Sequence, residues 1–206
     1  METDRYVFET QLWGEGYKRV MGLDEVGRGC LCGPVVAAGV ILDPAKAKMP
    51  DLKDSKIVKK TDREELSERI KEAAIYWTIQ SCSPSEIDEI NILYASLKAM
   101  LKCSESKGAS PDYLLIDGNK SPATMFPHTC LVKGDNRSAS IAAASILAKV
   151  YRDSLMRDLH ENYPVYGWDR NVGYPTEEHF LGLEKHGYTK HHRMSFKLRT
   201  DKKFRK

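Results

Sequence analysis

Three acidic placements fall where short apolar runs end: Asp24-Glu25 after Val20–Leu23, Asp117 after Tyr113–Ile116, and Asp135 after Cys130–Val132. In an α/β sheet the strand ends carry ligands and catalysts, whereas a carboxylate buried within a strand needs a partner or cation to offset its desolvation. Four carboxylates converging on one point repel each other and raise each other's pKa unless divalent cations occupy the site. An oxygen-only donor set suits Mg²⁺ or Mn²⁺ rather than zinc. Two such ions, about 4 Å apart, activate water and stabilise the leaving oxygen in phosphodiester cleavage. Any one of these aspartates is also explicable as a turn or cap residue, and Asp117-Gly118 is an ordinary turn pair; the argument rests on the set. Gly27-Arg28-Gly29 follows the acidic pair directly. Its glycines let backbone amides approach a phosphate or sugar, with the guanidinium in reach of a phosphate oxygen. A bare GxG says little, and its place beside the carboxylates is what gives it weight.

The elements that must position these residues read as follows. Val20–Gly27 and valine-rich Val35–Leu42 are strands joined by the glycine-rich turn Gly27–Gly33. Thr61 and Glu64 form a capping-box pattern before Leu66, Ile70 and Ala73 at helical spacing. Ile75–Ile79 is a third strand, and Ser83-Pro84-Ser85-Glu86 opens a helix continued by Ile90, Leu93, Leu97 and Leu101. Tyr113–Ile116 and Cys130–Val132 are further strands, and Ser138 starts a long helix to about Leu159, rich in alanine. A last helix, Glu177–His186, stops at Gly187, a left-handed C-cap. The order predicts an α/β fold, helices against a mixed sheet, over residues 1–160, with a small helical C-terminal extension over 161–206.

With 206 residues, 41% apolar and 30% charged, the chain can bury one sizeable core, which excludes wholesale disorder. No apolar run approaches the ~20 residues of a membrane span, and the N-terminus is too polar for a signal peptide. A soluble, cytoplasmic protein with no membrane contact is expected. Five cysteines, with the close pair spaced CxC, favour neither a disulfide framework nor a zinc site. From Tyr188 onward eight basic residues face one acidic residue, a local charge of +7 that leaves −4 for residues 1–187. Such a tail is either a solvated end or a surface for a phosphate backbone.

Gly22-Leu23-Asp24-Glu25-Val26-Gly27-Arg28-Gly29, followed by Gly33-Pro34-Val35-Val36-Ala37-Ala38, resembles the opening motif of type 2 ribonuclease H, the ribonuclease HII family. Leu52-Lys53-Asp54-Ser55-Lys56 resembles that family's LxDSK segment, and Ile116-Asp117-Gly118-Asn119 its third-carboxylate strand. Lys133-Gly134-Asp135 and Ser140–Asp153 resemble its fourth carboxylate and following helix. Gly173-Tyr174-Pro175-Thr176, His179 and His192-Arg193-Met194-Ser195-Phe196 are similar to its C-terminal motifs. The resemblance implies a ribonuclease-H-like fold in which Asp24, Glu25, Asp117 and Asp135 are catalytic metal ligands for Mg²⁺ or Mn²⁺, two ions with substrate bound. It implies that Gly27, Arg28 and Gly29 read the ribonucleotide 2′-OH and that Tyr174 stacks on the following deoxyribose. The expected activity is endonucleolytic hydrolysis of the RNA strand of RNA/DNA hybrids, with nicking 5′ of single ribonucleotides in duplex DNA to leave a 3′-hydroxyl and a 5′-phosphate. Nothing in the sequence calls for a partner chain, so a monomer is expected. Cys30-Leu31-Cys32 departs from the small or proline-containing residues usual in that turn.

Plainer readings stand beside these. Tyr174 is also explicable as a packed turn aromatic, and His179 as a hydrogen-bonded structural histidine, since water activated by metal needs no His base. Asp153 reads first as a helix-surface partner of Arg157 or His160, with Lys149 and Arg152 on the same surface. Trp168, near Tyr163 and Tyr166, reads as a stacking platform or as core. Beside an acidic centre the basic tail reads as a duplex-backbone contact. Two further alternatives are the type 3 relative, with lysine at the position of Arg28 and an extra N-terminal domain, and a binding protein of this fold that has lost catalysis. A DNA exonuclease or integrase would also use clustered carboxylates.

Overall fold

The structure is a computed structural model and describes residues 4–46, 48–49, 52 and 60–196. In chain order the elements are α1 (Val7–Gly14), β1 (Val20–Val26), β2 (Val35–Leu42), α2 (Lys60–Ala73), β3 (Ala74–Cys82), α3 (Pro84–Ser104), β4 (Tyr113–Asp117), β5 (His128–Leu131), α4 (Ala139–Asn162), α5 (Trp168–Asn171) and α6 (Glu177–His186). They form one five-stranded sheet in the order β3-β2-β1-β4-β5. β1, β2 and β3 pair antiparallel, while β4 and β5 run parallel to β1. This is the expected α/β mixed sheet flanked by helices.

All eight residues of β2 are buried because both faces of the sheet are covered. Val36, Ala38, Val40 and Leu42 meet the alanines of α4 on one face. Val35, Ala37 and Ile41 meet Ile87, Ala95 and Ala99 of α3 on the other, as the two-residue period of a strand requires. The small residues bring α4 so close that a Cβ on Gly22 would collide with the main chain of Ser140. That contact locks the strand that ends in Asp24 to the helix behind it.

Ser83 caps α3 with its hydroxyl accepting from Glu86 N–H, and the Glu86 carboxylate accepts from Ser83 N–H, the expected capping box. Within α3 the backbone leaves the helical region at Asn91 (φ 63°, ψ 166°), whose Oδ1 accepts from the N–H groups of Leu93 and Tyr94 and restarts the helix. Ser138 caps α4 as expected.

Several expectations are corrected. Thr61 is not a cap: α2 runs from Lys60 and the Thr61 hydroxyl donates to Asp62. β5 is His128–Leu131, displaced toward the N-terminus from Cys130–Val132. Gly187 ends α6 at positive φ (72°) but with ψ −165°, outside the left-handed helical well. α1 was not foreseen at all; its Glu9, fully buried, accepts from Ser138 Oγ and from both N–H and Oγ of Ser140, gripping the start of α4. No described helix is long and apolar enough to cross a membrane.

Candidate active site

Asp24 and Glu25 close β1, and successive residues of a strand point to opposite faces. Asp24 turns toward α4, where the Ser145 hydroxyl and the Glu25 N–H donate to its carboxylate. Glu25 turns the other way and lines an open cleft of about 390 Å³ with Arg28, Asp117, Gly118 and the part of α3 that follows Asn91. The β1–β4 register pairs Leu23 with Ile116, which sets Asp24 one residue on beside Asp117. Asp117 Oδ1 in turn accepts from Gly134 N–H at 2.6 Å. Gly134 opens the 3₁₀ turn that carries Asp135, which is buried, with Asn136 Nδ2 3.2 Å from its Oδ1. Asp24, Glu25 and Asp117 are thereby brought together at the end of β1 and β4, and the turn that carries Asp135 is tied to them through Gly134.

Their electrostatics follow from that crowding. Burial first, then the charges of Glu25 and Asp117, push the Asp24 carboxyl well above the usual carboxylate range. Burial also raises Glu25; the Arg28 guanidinium, 3.0 Å away, pulls it back, and Asp117 pushes it up. An anionic centre with too few cations around it is what a hard divalent ion would neutralise.

The turn after β1 is built around Gly27, at φ +92°, where a Cβ would run into the Arg152 guanidinium. Leu31 N–H donates to Gly173 O at 2.8 Å and ties the turn to the segment carrying Tyr174. A Cβ on Gly29 would stand 3.7 Å from the Tyr174 ring, which is half-exposed. Arg28, Gly29 and Tyr174 therefore form one surface, with Gly27 buried beneath it, joined to the acids by the Arg28–Glu25 ion pair.

Behind Tyr174 lies a buried aromatic hub. Trp168 Nε1 donates to His179 Nε2 at 3.2 Å, His179 Nδ1 lies 3.0 Å from Tyr174 O, and the two Nε2 atoms of His179 and His192 are 3.1 Å apart. Thr189 N–H donates to His192 Nδ1. Cys32 adds a thiol, so one sulfur and two nitrogens lie within 4.8 Å of one another. The Trp168 and Thr189 N–H groups already occupy lone pairs that a cation would need, which makes this hub a hydrogen-bonded core. Trp168 is fully buried and cannot be a stacking platform.

Other assignments change. Asp153 pairs with Lys149 at 2.6 Å and with Arg63, while Arg157 pairs with Glu64 and His160 with Asp169. Arg152 is not on the surface of α4 and Arg193 is not part of an exposed basic end: both are buried. Sequence reasoning missed both, although Ala148, Arg152 and Met156 recur at the i,i+4 spacing of one buried stripe. Of the LxDSK segment only Leu52 is described, buried in the core; Lys53–Lys56 lie outside the described residues, as do 197–206 of the basic tail.

Comparison with known proteins adds a family. The ribonuclease HII family model matches residues 21–199. A ribonuclease HII of Salinibacter ruber is 50% identical over 197 residues, covering 94% of this chain and 98% of the relative. The ribonuclease H2 of Pyrococcus horikoshii OT3 superposes with a TM-score of 0.75 at 24% identity, over 91% of this chain and 99% of that one. Bst ribonuclease HIII, solved in complex with Mn²⁺, superposes at 0.66 and 20% identity, over 94% of this chain and 71% of that one.

Proposed function

This chain belongs to the ribonuclease HII family and is a ribonuclease H endoribonuclease acting on RNA in RNA/DNA hybrids, and on that premise we propose that it also nicks duplex DNA 5′ of a single embedded ribonucleotide, leaving a 3′-hydroxyl and a 5′-phosphate. The observation that carries the reading is the Asp24 carboxyl, buried beside Glu25 and Asp117 and pushed well above its ordinary range, directly before a turn whose Gly29 and Tyr174 face each other. The donor set is oxygen-only, largely buried and self-repelling, and so fits hard divalent ions. Asp24, Glu25, Asp117 and Asp135 would hold Mg²⁺ or Mn²⁺, two ions when substrate is bound; the Mn²⁺ complex of the ribonuclease HIII neighbour is consistent with that choice. When bound, such ions supply Lewis acidity at the scissile phosphate and neutralise charge that develops on the departing oxygen.

The chain's own residues do the rest. Asp117 spends one carboxylate oxygen on Gly134 and keeps the Asp135 turn in place. Arg28 holds Glu25 toward its ionised form. The amides of the Gly27–Gly29 turn suit a 2′-OH, the one group that separates RNA from DNA locally, and the Tyr174 ring disfavours a second hydroxyl on the next sugar. All these groups come from one chain, so a monomer suffices. The basic residues near the C-terminus suit the duplex backbone.

The test is cleavage of a labelled DNA duplex carrying one ribonucleotide, with Mg²⁺, beside an all-DNA duplex and an Asp135→Asn variant. A single nick 5′ of the ribonucleotide, absent from both controls, is expected. Cutting of a long hybrid without that nick overturns the single-ribonucleotide reading, and Asp135→Asn cleaving at the normal rate overturns the ligand assignment.

A further inference from the structure

Arg152 and Arg193 are 0% and 2% exposed, and among the described residues neither forms an ion pair with a carboxylate. A buried cation normally has one. Here every bond these guanidiniums make is to a main-chain carbonyl. Arg152 donates to Pro34 O (3.0 Å), Cys32 O (3.1 Å) and Val172 O (2.8 Å), and Arg193 donates to Gly33 O (3.0 Å) and Arg28 O (3.0 Å). The second Nη of Arg193 has no acceptor among the described residues. Two full positive charges thus lie directly under the turn that follows Asp24-Glu25, held there by oxygens of residues 28 and 32–34 and by Val172 O.

The geometry has a consequence for the opposite side of the turn. In a trans peptide the C=O and the following N–H point in opposite directions, so drawing Arg28 O inward to Arg193 turns the Gly29 N–H outward. Among the described residues the main-chain N–H groups of Arg28 and Gly29 have no acceptor. They remain for a ligand, with two fixed cations behind them in a poorly screened interior, where charge acts more strongly than in water.

From this we infer that Arg152 and Arg193 are positioning residues for ribonucleotide recognition: by gripping the carbonyls of residues 28 and 32–34 they hold the turn in the shape that aims the Gly29 amide outward, a preformed, electropositive donor for a ribose 2′-hydroxyl or its adjoining phosphodiester. The inference rests on the proposed reading of this turn. It assigns ribonucleotide preference in part to two side chains that the ligand never touches. A planar fork can hold two carbonyls at once, and an ammonium cannot do so in the same geometry. Arg193→Lys keeps the charge and most of the packing but gives up that grip.

The experiment measures the affinity of the full chain, without divalent ions, for a labelled DNA duplex with one ribonucleotide and for the all-DNA duplex of the same sequence, by fluorescence anisotropy. The wild type is expected to prefer the first. In Arg193→Lys, checked by circular dichroism and melting, that preference is expected to fall by about tenfold, the size of one lost hydrogen bond. All-DNA affinity should stay within about twofold, because no charge has been removed from the duplex path. Arg152→Lys, which loosens the same turn at residues 32 and 34, should act in the same direction and stands in if the first variant does not fold. Unchanged preference in a folded variant overturns the inference, and so does an equal loss on both duplexes, which would make these arginines general phosphate contacts. A wild type with no preference that also leaves the ribonucleotide duplex uncut overturns the underlying reading of the turn, a result separable from a failure of the variants alone.

Discussion

The carboxylate of Asp117 accepts the main-chain N–H of Gly134 at 2.6 Å, so the acid that ends β4 also holds the turn presenting Asp135. The two acids are coupled by one short bond, and substitutions at position 117 separate its two tasks. Asparagine still offers a carbonyl oxygen to Gly134 but no charge. Asp117→Asn should melt within about 2 °C of wild type, yet lose hybrid cleavage by roughly a thousandfold or more. Asp117→Ala should lose the bond as well, at about 1–2 kcal/mol. Thermal melts beside single-turnover cleavage test this, and equal melting of the two variants would break the link.

Arg28 lies 3.0 Å from Glu25 and lowers its pKa against the effect of burial. In its proposed role Glu25 works as a carboxylate, and a carboxylate is ionised above its pKa. Removing the guanidinium raises that pKa, so the acid limb of the pH–rate profile for Arg28→Gln should move to higher pH. The position of the limb, rather than the maximal rate, is the readout, because Arg28 is also proposed to meet substrate.

Asp24 is a liability in the free protein. Neutralising it should stabilise the fold without ions: Asp24→Asn is expected to gain about 1 kcal/mol, a rise of roughly 2–4 °C in Tm, while abolishing cleavage. Added Mn²⁺ should raise the wild-type Tm, by about 2.7 kcal/mol of stability at a hundredfold excess over Kd. The same titration should do little for Asp24→Asn. A destabilised Asp24→Asn would show that the crowding of like charge is already offset within the protein.

His192 is 2% exposed, and burial with His179 beside it holds its pKa down to about 4. The unfolded chain binds that proton near the ordinary value of 6.5, the folded chain only near 4. Stability is therefore fully present above about pH 6.5 and is lost as the pH falls toward 4, by roughly 3 kcal/mol in total. His179 is shifted in the same direction by burial and adds to the loss. Urea midpoints across this range measure it, and a flat curve would contradict the neutral pairing of the two rings.

Asn91 holds φ +63° with ψ 166°, a region open almost only to glycine, and repays part of that strain by capping Leu93 and Tyr94. Asn91→Ala keeps the strain and loses both bonds. It should cost about 1–2 kcal/mol and weaken hybrid binding, because Leu93, Ser96, Leu97 and Met100 line the cleft beside Glu25 and Asp117.

What was legible in the sequence follows a physical line. The acids that end β1 and β4, the Ser83 and Ser138 caps and the valine-rich run of β2 are local patterns, and they lie where local chemistry sets them. α1 was not legible, because its buried Glu9 makes sense only against Ser138 and Ser140, some 130 residues away. The burial of Arg152 and Arg193 was hidden for a similar reason. Their partners are carbonyls, which every residue carries and no sequence pattern marks. For Trp168 the sequence left a stacking platform and a core role both open, because the two histidines that enclose it and decide for the core come from later in the chain.

The turn that follows Asp24-Glu25 is completed from far downstream: Cys32 bridges to His192, Gly33 N–H donates to His191 O, and Arg193 N–H donates to Leu31 O. During synthesis the four acids leave the ribosome well before residues 191–193. A nascent chain can therefore own a finished set of carboxylates while its turn still lacks the backbone bridge and guanidinium that shape it. On the proposed reading selectivity is acquired only after the acidic centre, and a message cut short before that point would encode that centre without the means to choose where it acts.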